Sequence, residues 1–199
     1  MNADRNWDRF ALLLIDVQHD FWTERYQASF PDFPANIERL LSLCRNEGLE
    51  AIHVRSSFKP DMSDWMVRYR VLGHIPCVEE TQGIQTLSFA VEEPGEVVIV
   101  KQTYDAFHNQ SLLSYLRKNE KRFLLTAGLV TSVCVLLTTA SAAQLGFLVA
   151  VVEDCCADKT SMHTQVLEGY PFIFGRTTTD SVCDSYAEWS DLLKRLEKQ

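Results

Sequence analysis

From Phe123 to Val152, thirty residues run without one charged side chain. Any fold for this chain must find a place to bury them. About twenty apolar residues are enough to cross a bilayer, so a membrane span is the first possibility to test. Gly128 and Gly146 interrupt the run, and Thr126, Thr131, Ser132, Thr138, Thr139, Ser141 and Gln144 make it too polar for a lipid-facing helix. Its periods separate instead into Arg122 to Thr126, a buried-strand pattern, Val133 to Leu145, a helix rich in small residues, and Phe147 to Val152, a second apolar strand. This is the β-turn-α-β unit of a parallel sheet covered on both faces. The turn places Cys134 at or near a helix N-terminus.

The same rhythm runs through most of the chain. Further strand patterns are Phe10 to Ile15, Glu50 to Arg55, Val97 to Val100 and Phe172 to Phe174. Helical patterns fall at Ala35 to Glu47, Ser111 to Lys118, Met162 to Glu168 and Cys183 to Leu196. The first of these carries Ile37, Leu40, Leu41 and Cys44 at helical spacing and stops at Gly48, a suitable residue for a left-handed C-terminal cap. Alternating strands and helices predict an α/β fold: a three-layer α/β/α sandwich around a mostly parallel six-stranded sheet. With no linker or low-complexity run, residues 1–199 are expected to form one domain. The stretch from Ser56 to Pro94 departs from the rhythm, reading as a long excursion with a short helix around Asp64 to Tyr69. Long loops in compact domains commonly carry function, so it is expected to wall or cover a pocket.

A net charge of −8 with scattered basic residues excludes a phosphate-neutralising surface, so no nucleic-acid partner is expected. The first apolar run, Phe10 to Ile15, ends at Asp16 after six residues. A secretory leader and a membrane partner are therefore not expected, and a cytoplasmic location is. Six cysteines show no C-x-x-C spacing, and His19, His53, His74, His108 and His163 show no paired-ligand spacing. Neither a metal nor another cofactor is expected. Cys155 and Cys156 are expected to pack at a strand exit, and His53 to be a structural strand residue.

In open α/β sheets ligands bind beyond the carboxyl ends of the strands. Asp16 closes Ala-Leu-Leu-Leu-Ile, Lys101 closes Val-Val-Ile-Val, and Cys134 follows the strand ending at Thr126. An acid, an amine and a thiol at equivalent edges of one sheet make a nucleophile with a base and a cation beside it. A helix N-terminus and Lys101 both favour a thiolate, which predicts a depressed pKa for Cys134. Phe21, Trp22, Trp65 and Phe107 are candidates for pocket walls.

Leu-Leu-Ile-Asp16-Val-Gln18-His-Asp-Phe21, Val-Ile-Val-Lys101 with Asp105-Ala-Phe107, and Gly128-Leu-Val130-Thr131-Ser-Val-Cys134-Val occur in that order. Through these motifs nearly the whole chain resembles the isochorismatase-like cysteine hydrolases, which include nicotinamidases and N-carbamoyl amidohydrolases. The resemblance implies a catalytic triad of Asp16, Lys101 and Cys134, with Asp16 taking the thiol proton and Cys134 attacking an amide-type carbonyl of a small-molecule substrate. It implies a cis peptide between Leu129 and Val130 and an oxyanion hole made by the backbone N–H groups of Val130 and Cys134. It also implies a homo-oligomer, either a dimer or a tetramer.

Two departures bear on substrate. Metal-binding nicotinamidases carry Asp-x-His after the second strand, where this chain reads Ile-His53-Val-Arg55; and a Gly-Thr-x-Gly turn common in the family is here Glu80-Thr81-Gln82-Gly83. The expected activity is metal-independent hydrolysis of a C–N bond in a small amide or carbamoyl compound. The alternatives are an isochorismatase cleaving a vinyl ether, and a non-catalytic binding module of the same fold. A nucleotide-binding Rossmann protein lacks its glycine-rich loop here.

Overall fold

Six segments form strands: β1 (Phe10–Ile15), β2 (Glu50–Ser56), β3 (Val97–Lys101), β4 (Phe123–Leu129), β5 (Leu148–Ala157) and β6 (Gly175–Thr177). In the computed structural model, which describes residues 5–198, they make one sheet ordered β3-β2-β1-β4-β5-β6. Every neighbouring pair is parallel. From β1 the chain builds outward through β2 and β3, then returns to add β4, β5 and β6 on the other side. The strand order therefore reverses between β1 and β4, and the crevice at their carboxyl ends is where such sheets take ligands.

The α-helices are α1 (Glu24–Ser29), α2 (Phe33–Glu47), α3 (Val67–Leu72), α4 (Gln110–Lys118), α5 (Leu136–Gln144), α6 (Thr160–Gly169) and α7 (Val182–Leu196). β1 and β4 are buried at every residue, because helices cover both faces. Successive side chains of β1 divide between the two layers. Leu12 and Leu14 pack with Ile37 and Leu40 of α2 and Trp189 of α7. Leu13 and Ile15 pack with Leu112 and Leu116 of α4 and Ala142 of α5. Each such side chain contributes roughly 1.5–3 kcal/mol of burial. Among the described residues no helix is long and apolar enough to cross a membrane.

Three elements differ from the sequence expectation. β5 does not stop at Val152: Val152–Cys155 bulge opposite the single residue Ala127, and the ladder resumes with Cys156 beside Gly128. Cys155 then faces one helical layer and Cys156 the other, as alternation requires. The last strand is Gly175–Thr177 rather than Phe172 to Phe174, because the N–H groups of Ile173 and Phe174 close a turn onto Tyr170 O and are unavailable to a ladder. The helix in the excursion is α3 at Val67–Leu72, a few residues past Asp64 to Tyr69. The excursion also has its own small core of Phe58, Trp65, Ile75 and Cys77.

Two glycines separate backbone conformation from crowding. Gly48 ends α2 at φ 74° with open space around the position of a Cβ. Gly128 pairs with Ile15 across the β1–β4 ladder at φ 120°, and a Cβ there would lie on the Ile15 carbonyl oxygen. Gly128→Ala is expected to cost about 3 kcal/mol or more and Gly48→Ala about 1 kcal/mol, both read from urea unfolding midpoints. Equal losses at the two positions would show that the close approach to Ile15 carries no weight.

Candidate active site

Asp16 is the first residue beyond β1. Its N–H still donates to Val54 O (2.8 Å), but its φ of 52° turns the chain out of the sheet. Aspartate is among the few non-glycine residues that occupy this region with any frequency. Two residues on, the buried Gln18 side chain donates to Ser56 O (2.9 Å) and Ile84 O (2.7 Å) and accepts from Ser56 N–H (2.9 Å). One amide thus fastens the exits of β1 and β2 to the excursion. Asp20 Oδ2 accepts from Cys77 N–H (2.7 Å) and adds a second anchor.

Lys101 ends β3, which lies two strands from β1, and its long side chain spans the gap. Its Nζ donates to Asp16 Oδ2 (2.7 Å), to Ser56 Oγ (2.9 Å) and to Thr103 O (3.0 Å). Ser56, from the intervening β2, is Lys101's register partner and donates to the other oxygen of Asp16, Oδ1 (3.0 Å). Asp16 and Lys101 are 0% and 1% exposed, so this is an ion pair removed from solvent. Cys134 Sγ lies 3.6 Å from Lys101 Nζ. Burial alone would lower the lysine pKa, but Asp16 and the thiol outweigh it and the net direction is upward.

Cys134 sits inside Thr131–Val135, a turn wound with π spacing in which Val135 N–H reaches back to Val130 O (3.4 Å). The preceding Leu129–Val130 peptide is cis. Ser132 N–H donates to the buried Asp158 (2.8 Å), just past β5, and Thr131 Oγ1 hydrogen-bonds His163 Nδ1 (2.8 Å) on α6. The expected depressed thiol pKa is corrected. Burial pushes the Cys134 thiol up and Asp16 adds to the effect, while Lys101 only partly opposes it, leaving the thiol well above its ordinary value. The ammonium is already matched by a carboxylate, so little of its charge is left to hold a thiolate.

A cavity of about 400 Å³ opens over Lys101 and Cys134. Of the predicted wall residues, Phe21 lines it. Trp65 does not; it packs in the excursion's own core with its indole N–H on Lys59 O (2.7 Å). Phe107 is turned away onto Phe147, with ring centroids 6.0 Å apart. Trp22 stacks on Phe33 of α2, 4.6 Å between centroids. Each of these aromatics has found a core partner, which offers more burial than an open pocket does. The walls include residues the sequence did not single out: Phe58, Met66 and Tyr69 from the excursion, Tyr104 after β3 and Leu137 from α5. Ser56 could have been found from its place at a strand end beside Asp16 and Lys101. His53 Nε2 is engaged by Glu96 (2.8 Å) and is a buried strand residue. Among the described residues no three His, Cys, Asp or Glu side chains converge in a way that suits a metal ion.

Comparison with known proteins places this geometry. The Isochorismatase domain family matches residues 10–180. The chain is 30% identical over 152 residues to the isochorismatase family protein YddQ of Bacillus subtilis (strain 168), covering 75% of this chain and 78% of that one. It is 29% identical over 158 residues to the maleamate amidohydrolase of Pseudomonas putida, covering 76% and 73%. A crystal structure of an isochorismatase family protein from Desulfovibrio vulgaris superposes with a TM-score of 0.81 at 25% identity, covering 90% of this chain and 98% of that chain. The matched span takes in Asp16, Lys101, Cys134 and all six strands of the sheet, and the chain belongs to the isochorismatase family of hydrolases.

Proposed function

We propose that the chain is a metal-independent cysteine amidohydrolase that cleaves a C–N bond of a small amide or carbamoyl compound through a thioester on Cys134. One observation carries this: a thiol and a buried Asp–Lys pair meet at one cavity, with Nζ 3.6 Å from Sγ and 2.7 Å from Asp16 Oδ2. In this reading Cys134 is the nucleophile, Asp16 the proton acceptor and Lys101 a fixed positive charge beside them, a combination suited to attack on one substrate carbon. The amidohydrolase among the relatives supports the same reaction class.

The resting thiol is protonated, so Asp16 takes its proton as Sγ attacks the carbonyl carbon. The carbonyl π electrons move to oxygen, where the N–H groups of Val130 and Cys134 stabilise the charge. Asp16 returns the proton to the departing nitrogen, the C–N bond breaks, and ammonia or an amine leaves a thioester. Water then attacks the thioester carbon with Asp16 again accepting a proton, the C–S bond breaks, and the acid departs as the thiol is restored. Lys101 holds Asp16 in place and keeps a compensating charge beside the reacting sulfur throughout. His53 is committed to Glu96, and no step is assigned to a metal.

Cys134→Ala is expected to lower amide turnover by at least about 10³-fold with the fold retained, measured as ammonia release alongside far-UV circular dichroism. Activity within tenfold of the parent would refute a covalent mechanism. Asp16→Asn should impair turnover similarly, since an amide cannot accept the thiol proton. It should also cost stability on the order of 3–5 kcal/mol by leaving Lys101 buried without its counter-ion.

Thiol reactivity tests the protonation state directly. With a pKa above the ordinary ~8.5, alkylation of Cys134 by iodoacetamide should climb steadily with pH through 8 and 9, because only the thiolate reacts. A plateau reached below pH 7, followed by mass spectrometry at this residue, would show a resting thiolate and contradict the assignment. Turnover should also survive EDTA and phenanthroline; its loss and recovery with zinc would overturn the metal-free reading, and cleavage of isochorismate without any amide would replace it with a vinyl-ether hydrolase.

A further inference from the structure

Resting on the amidohydrolase reading, the composition of the cavity narrows the substrate. Lys101 is the one charged side chain lining it among the described residues. An ammonium has three N–H donors, and Nζ of Lys101 already has Asp16, Ser56, Thr103 and the Cys134 sulfur within hydrogen-bond reach. No cation is left over for a second anionic group. The walls are otherwise built mainly from Phe21, Phe58, Ile75, Val133 and Leu137.

Besides Lys101 and Cys134, the polar side chains lining the cavity are the neutral hydroxyls of Ser56, Tyr69, Thr103, Tyr104 and Ser132. Tyr69 of α3 and Tyr104 meet edge to face, with ring centroids 6.3 Å apart. Burial and the neighbouring Tyr104 hydroxyl push the Tyr69 phenol up, so it stays an uncharged donor. A substrate carboxylate entering here would lose its hydration with no counter-ion to replace it, a cost that grows as the surroundings become apolar. The chain's net charge of −8 opposes its approach as well. An apolar acyl group meets the opposite conditions, gaining from every surface it covers. At about 400 Å³ the space lies toward the small end of ligand pockets, roughly 300–1,000 Å³.

We infer that the substrate is a neutral amide whose acyl group is apolar, a single ring or short hydrocarbon chain without a carboxylate, held between the excursion and α5. Leu137 lies at the open edge of the cavity, 41% exposed, so its side chain can be lengthened and charged without disturbing a core. Leu137→Lys would supply the missing cation.

The test compares matched pairs: benzamide with 4-carbamoylbenzoate, and hexanamide with adipic acid monoamide. Ammonia release gives kcat/KM, and protection of Cys134 from iodoacetamide measures occupancy whether or not the compound turns over. The neutral member of each pair is expected to lead by at least about a hundredfold in both readouts. Leu137→Lys should narrow that gap by tenfold or more, by improving the acid-bearing member. Equal or better handling of the acid-bearing amides by the parent enzyme would overturn the substrate class while leaving amide hydrolysis intact, and protection by neither member would overturn it too. Protection by the neutral amides with no ammonia from any compound would uphold the pocket assignment and defeat the hydrolytic reading instead.

Discussion

The ion pair between Asp16 and Lys101 is the contact on which the rest of the site depends. Removing two charges from water costs several kcal/mol for each, and the attraction between them offsets this only with good geometry and satisfied hydrogen bonds. Both conditions are met through sheet topology. β3 and β1 are not neighbours, so the lysine must cross the end of β2, and Ser56 at that end bridges ammonium and carboxylate at 2.9 and 3.0 Å. The pair is nearly neutral as a unit. That is why it offsets only part of the upward push that burial gives the adjacent Cys134 thiol.

The cysteine reaches this pair because the strand order reverses between β1 and β4. Gly128 lets the two strands approach at their carboxyl ends, where a side chain would strike the Ile15 carbonyl. Beyond it the turn that carries Cys134 is braced from β5 and α6. Asp158 accepts from the N–H groups of Ser132 (2.8 Å) and Lys159 (2.6 Å), and His163 holds Thr131. Past the bulge the ladder pairs Ala157 with Leu129, so Asp158 leaves β5 beside the turn that leaves β4. Asp16 and Lys101 are thus set by strand ends of the sheet, and Cys134 by a turn braced against it.

The cavity walls are built differently. The excursion between β2 and β3 packs around its own small core and is fastened to the sheet by Gln18 and Asp20. It presents Phe58, Met66, Tyr69 and Ile75 to the cavity, while the sheet supplies Lys101 and the Cys134 turn. The excursion's side of the cavity can therefore vary while Asp16 and Lys101 stay where the strands put them, a division common to sites mounted on rigid scaffolds.

Local sequence was sufficient for the elements whose pattern is backed by burial on both faces. The apolar runs of β1 and β4, the α2 stripe ending at Gly48, and the polar residues at strand exits were all legible, because period and strand-end chemistry are properties of neighbouring residues. Everything that required two distant segments to meet was decided by the tertiary structure. The last strand moved because a turn onto Tyr170 took the N–H groups of Ile173 and Phe174. Trp65 and Phe107 left the pocket because each had a core partner that no local pattern reveals. Ser56 and Tyr104 entered the site through sheet order. The upward shift of the Cys134 thiol was out of reach for the same reason: a lysine beside a thiol favours the thiolate, and only the folded chain shows that the lysine is paired with Asp16 and the thiol buried.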